Sequence, residues 1–159
     1  MAYIGLVPPR GRMPPPRPWP QAPPHPPGRP RAPAGDRDVL LIHGTTLPRA
    51  RAITSRQAMA PQRAFFALGM QNRDLARLFA LRASRRSPRE GSPALVLVTV
   101  PEAAFERLRK QRLLHALPFD PEDRPELRNR RQWVLEPGGV EILNREADSW
   151  RMVGMHPRR

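Results

Sequence analysis

Thirteen of this chain's 23 prolines fall within its first 37 residues, and that segregation constrains the fold more than any other feature. Proline donates no hydrogen bond and fixes φ, so a stretch reading PPRGRMPPPRPWPQAPPHPPGRPRAP can build neither a sheet ladder nor a helix. Residues 1–37 are therefore expected to form a disordered arm rich in proline and arginine and prone to polyproline-II structure. The remaining residues amount to one small domain, expected over 38–144, with a basic C-terminal tail over 145–159.

The chain contains no cysteine, which excludes a disulfide scaffold, a cysteine-ligated zinc site and a thiol nucleophile. No apolar run has the length of a membrane helix, and Ala2 to Val7 is too short, and lacks the basic start, for a secretory signal; a soluble, cytoplasmic protein that engages no membrane is expected. Basicity is not confined to the arm. Residues 1–37 carry six arginines and one aspartate, net +5, so +9 of the overall +14 belongs to the rest. Of 28 cations only Lys110 is a lysine. The charge permits an anionic partner such as DNA or RNA.

From Asp38 the pattern changes to DVLLIHGTT, a short buried strand through Val39–Ile42 stopped by His43 and Gly44. Pro48 then opens a short helix, with Ala50 and Ile53 on its apolar face, running to Arg56. Phe65, Phe66 and Leu68 mark a second strand, and Leu75, Leu78 and Phe79 recur at helical spacing behind Asn72 through Arg82. Arg82, Arg85, Arg86 and Arg89, with Pro88 and Gly91, read as an exposed basic loop. ALVLVTV at 94–100 is a β-branched strand, and Pro101 and Glu102 open a helix burying Phe105 and Leu108. Between Leu117 and Asn129 the chain is turn-rich. Gln132–Leu135 and Val140–Leu143 are expected to form a hairpin about Pro137, Gly138 and Gly139. The fold class is α+β with a small, largely antiparallel or split sheet and flanking helices.

Common catalytic signatures are missing. There is no glycine-x-serine-x-glycine elbow and no Walker-type phosphate loop. No two histidines lie four apart on a helix, so no metal site is expected.

The ordered series His43-Gly44-Thr45-Thr46, Arg63-Ala64-Phe65-Phe66-Ala67, the VLVTV strand and Gln132-Trp133-Val134-Leu135 resembles the ADP-ribosyltransferase-like superfamily, over about residues 38–144. The resemblance implies that superfamily's split sheet and a transfer of ADP-ribose from NAD, the substrate and sole cofactor, to a macromolecular acceptor. It implies that His43, Gly44 and Thr45 seat NAD, His43 bonding a ribose and the Gly44 backbone holding the nicotinamide amide, and that Phe65 or Phe66 packs on the nicotinamide ring. Gln132 matches the position, usually glutamate, that holds the nicotinamide ribose as positive charge develops. An amide cannot supply a countercharge, so Glu136 and Glu141 stand as the acidic alternatives if the register of the last strands differs. Arg63, Arg85 and Arg86 are the candidate acceptor-binding residues.

Two other readings accompany this one. The RNA 2′-phosphotransferases of the same superfamily also begin with a histidine-glycine-threonine strand end and use arginines on phosphate, although they carry a histidine where this chain has Phe65 and Phe66. A non-catalytic protein is the other, its arginine faces binding nucleic acid and its Arg12, Pro15 and Pro18 spacing (residues 12–18) engaging a polyproline-binding domain.

Overall fold

A computed structural model describes residues 37–119 and 124–155. Except for Arg37, the arm expected over 1–37, with the polyproline motif at 12–18, lies outside the described residues.

The apolar run after Asp38 is β1 (Asp38–Thr46), and it continues through His43 and Gly44 because both stay in register with β3 (Pro93–Pro101), opposite Val96 and Leu95. The helix α1 (Leu47–Arg56) comes next, with Pro48 in its first turn, where a missing N–H is harmless. β2 (Ala64–Leu68) carries Phe65 and Phe66. All strand pairs are antiparallel, and the six strands lie in the order β4-β5-β2-β1-β3-β6.

Four sequence expectations need correction. The helix α2 (Arg73–Arg86) runs a full turn beyond Arg82, so Arg82, Arg85 and Arg86 are helical and only Ser87 to Ser92 connect to β3. After α3 (Glu102–Lys110), part of the turn-rich stretch is β4 (Leu114–Phe119), an edge strand that accommodates Pro118 because one side needs no ladder partner. The hairpin about Gly138 and Gly139 does not form: β5 (Arg130–Leu135) leads into α4 (Pro137–Glu146). Pro137 starts that helix, Val140 and Leu143 are buried one turn apart, and Gly139 packs closely, since a Cβ there would lie 2.6 Å from the end of the Leu135 side chain and 3.1 Å from Leu113 Cβ. Finally, Ser149–Gly154, expected in a tail, form β6 against β3, with Trp150 turned into the core.

Strand alternation sorts the core into two layers. Leu41, Phe66, Val96 and Val98 face α1, α3 and α4, represented by Ala50, Leu108 and Leu143. Ile42, Ala67 and Leu95 face Leu75, Ala76 and Ala80 of α2. Among the described residues no helix is long and apolar enough to cross a membrane.

Candidate functional site

The sheet has a seam. β1 and β2 pair only at Leu41↔Leu68 and Ile42↔Ala67, whereas β1 and β3 pair over all nine residues of each. Antiparallel residues alternate in the side to which they send both backbone groups. The Leu40 carbonyl accepts from Gly69 N at 2.9 Å, on the β2 side, so Ile42 and then Gly44 point the same way. Beyond Ile42, where the ladder ends, the N–H and C=O of Gly44 are directed to the open seam.

His43 explains how the seam opens. Its Nδ1 lies 3.0 Å from the Phe65 carbonyl, a group that only accepts, so Nδ1 carries the proton and donates. In the neutral ring Nε2 is then the acceptor. Desolvation lowers the pKa of His43, outweighing the Phe65 carbonyl, which raises it; the positive charge of Arg49 lowers it further. The ring also leans on Phe66, centroids 5.4 Å apart.

Gly44 has a second task. A Cβ there would lie 2.2 Å from the Ala76 carbonyl oxygen and 2.5 Å from the Ala80 nitrogen, both backbone atoms of α2. Only a glycine lets α2 rest on β1 at this point.

A cleft of about 670 Å³ opens along the seam between α1 and α2. His43, Gly44 and Thr45 line it from β1, Phe65 from β2 and Gln132 from β5, with Phe79 and Phe119 on the α2 side. Five arginines contribute to its walls: Arg49 and Arg56 from α1, Arg63 ahead of β2, and Arg82 and Arg86 from α2. No Asp or Glu among the described residues lines it. Arg49 is held by Glu90, with Nε to Oε2 at 2.7 Å, and Arg63 by Glu136 at 3.2 Å. Arg82 lies over the Phe119 ring at 5.4 Å. Arg56 and Arg86 form no ion pair among the described residues. The Thr46 hydroxyl, donating at 2.8 Å, and then Arg49 hold the Glu90 carboxyl below the usual carboxylate range.

The far wall is fixed by a side-chain clamp. Asn144 Oδ1 accepts from Met59 N at 2.8 Å while its Nδ2 donates to Met59 O at 2.9 Å, pinning the segment between α1 and β2 to α4.

Of the candidates from sequence, His43, Gly44, Thr45, Arg63, Phe65, Arg86 and Gln132 come together in this cleft. Phe66 does not: it is fully buried, opposite Trp133, while Phe65 is 40% exposed. Glu136 lies just past β5 outside the lining, between Arg63 and His115, whose Nε2 is 3.6 Å from Oε1. Glu141 is exposed on α4, and Arg85 is exposed on α2 outside the lining. Sequence reasoning missed Arg49, Arg56, Arg82, Phe79 and Phe119. The spacing of Arg49 to Arg56, two helical turns, and of Arg82 to Arg86, one turn, was the available signal.

No protein-family model matches this chain, and comparison with curated proteins and with solved structures gave no match.

Proposed function

We propose that this cleft binds NAD and that the protein transfers ADP-ribose from it to a macromolecular acceptor. The observation that carries the reading is the Gly44 peptide, a donor and an acceptor side by side at the open seam, next to exposed Phe65 in an arginine-lined cleft. A primary carboxamide is complementary to that pair, and an aromatic ring attached to it fits against Phe65. The cleft volume lies within the roughly 300–1,000 Å³ of small-molecule and cofactor sites. A lining with five arginines and, among the described residues, no carboxylate suits a diphosphate.

In this reading Gly44 anchors the nicotinamide amide and Phe65 covers the ring. His43 Nε2 accepts from a ribose hydroxyl, which requires the neutral imidazole that burial favours. The Gln132 side-chain oxygen orients the nicotinamide ribose. The bond from ribose C1 to the ring nitrogen breaks with its electron pair passing to nicotinamide, which leaves neutral. The acceptor nucleophile bonds to C1 and releases its proton to solvent. Water excluded by Phe65 and Phe79 strengthens each polar contact.

That no carboxylate among the described residues lines the cleft favours a second reading, removal of a 2′-phosphate from RNA with NAD as co-substrate, because arginines alone can hold such a phosphate. Incubation with labelled NAD, with and without RNA, DNA, protein lysate and a 2′-phosphorylated oligonucleotide, separates them. Nicotinamide release that is lost in His43→Ala, with label on an acceptor, supports the first reading. Release that requires the 2′-phosphate supports the second. NAD that raises the melting temperature without any release would make the protein a non-catalytic binder.

A further inference from the structure

Cations are spread over the whole domain, and several exposed ones, Arg51, Lys110, Arg112, Arg131, Arg145 and Arg151 included, form no ion pair among the described residues; what sets one group apart is its place beside the cleft, whose lining includes Arg56 and Arg86. On α3, Arg107 pairs with Glu146 at 3.3 Å and Arg109 with Glu106 at 3.1 Å, and Arg109 also lies over the Phe105 and Trp133 rings. At the C-terminal end of α2 and in the turn after it, Arg85, Arg86 and Arg89 are exposed and form no ion pair among the described residues, and Arg86 lines the cleft. Arg56 at the end of α1, also exposed, is in the same condition. The carboxylate nearest in sequence, Glu90, is taken by Thr46 and Arg49.

These arginines sit on a fixed backbone. The Ser84 hydroxyl donates to the Gly91 carbonyl at 2.6 Å, closing the segment on itself, and Glu90 ties it to β1. Guanidinium groups bind phosphate in bidentate fashion, so exposed arginines held in this way suit a string of anions.

We propose that Arg56, Arg85, Arg86 and Arg89 form a rim that seats the phosphodiester backbone of a single-stranded nucleic acid, and that this strand is the acceptor presented to the cleft. The acceptor role rests on the NAD reading; the binding surface does not. A single strand is specified because the reacting atom has to enter the cleft, and a base stacked and paired in a duplex cannot.

The test is a fluorescence-polarisation titration of the intact protein against a short labelled single-stranded DNA, between about 50 and 200 mM salt. Wild type is expected to bind with affinity falling steeply with salt. An Arg85→Gln, Arg89→Gln double variant should bind more weakly, with a log–log slope shallower by about 1.4, since each phosphate contact on a single strand contributes about 0.7. Lysine at both positions should restore the slope, and circular dichroism melting checks that the variants fold. Absence of binding in wild type overturns the proposal. So does an unchanged slope in the glutamine variant, which would place binding elsewhere, or a duplex bound as tightly as the strand. Nicotinamide release by wild type is read separately. Strand binding sensitive to the variants without any release keeps the surface and removes the NAD reading; release with insensitive binding does the reverse.

Discussion

Gly44→Ala places one methyl group where α2 rests on β1. The added carbon would lie 2.2 Å from the Ala76 oxygen, and ordinary contact begins near 3.4 Å, so the helix has to retreat by about 1.2 Å. Rotamer changes cannot relieve this, because the two closest atoms, Ala76 O and Ala80 N, belong to backbone. Overpacking of this kind costs about 1–3 kcal/mol, and a clash with a whole helix belongs at the upper end, about 3 kcal/mol. For a domain of this size that lowers the melting temperature by about 10 °C. Arg82 and Arg86 travel with α2, so NAD affinity should fall in the same variant. Calorimetric melting and ligand titration read the two effects. A variant melting within about 2 °C of wild type, less than 1 kcal/mol, would show that Gly44 does not seat α2, and the packing argument would be refuted.

Other contacts lead to further expected outcomes. His43 titrates below its ordinary value in the folded protein, so the unfolded chain takes up this proton first as pH falls below about 6.5. Its contribution to stability is complete above that value, declines as pH drops towards the folded pKa and levels off beneath it. Melting temperatures at pH 7.5 and pH 5.5 should therefore differ less in His43→Gln than in wild type, and an equal difference would contradict the assignment. Asn144→Ala removes two hydrogen bonds to Met59 and should cost about 2 kcal/mol, with faster hydrogen exchange between residues 57 and 63. Asn144→Asp should be at least as damaging at neutral pH, since its carboxylate faces the Met59 carbonyl, and should recover in acid. Gln132→Glu puts a negative charge in the cleft and should raise nicotinamide release about tenfold or more; a fall would mean that Gln132 does not face the reacting ribose.

The strands and helices legible in the sequence are those whose burial is simple, either on both faces or along one stripe. ALVLVTV is buried along nearly its whole length, and Phe105 with Leu108 mark a single helical stripe. The edge strands were not legible for the opposite reason: in Leu114–Phe119 and Ser149–Gly154 half-exposed and polar residues blur the two-residue period. Pro137-Gly138-Gly139 has the composition of a turn, and only the close approach of Leu113 and Leu135 to Gly139 shows why glycine stands inside a helix. At the site, His43, Gly44, Phe65 and Gln132 could be picked out because they stand in an ordered series, each at a strand position that the resemblance to the ADP-ribosyltransferase-like superfamily singles out. Arg49, Arg56 and Arg82 could not, because arginine is so abundant here that its presence says little until the fold shows which guanidinium groups share a wall.

The seam between β1 and β2 has a mechanical consequence. The half-sheets β6-β3-β1 and β2-β5-β4 are stitched by two residue pairs, the Gly69 N–H donating to the Leu40 carbonyl and one imidazole, so the sheet is soft here. A molecule grasped at once by Gly44 and Arg49 on one side and by Phe65 and Gln132 on the other would act as mortar between them. Stiffness then becomes a function of occupancy. Amides bordering the seam should exchange readily in the empty protein and slowly in the filled one, and part of the intrinsic binding free energy would go into holding the two halves together.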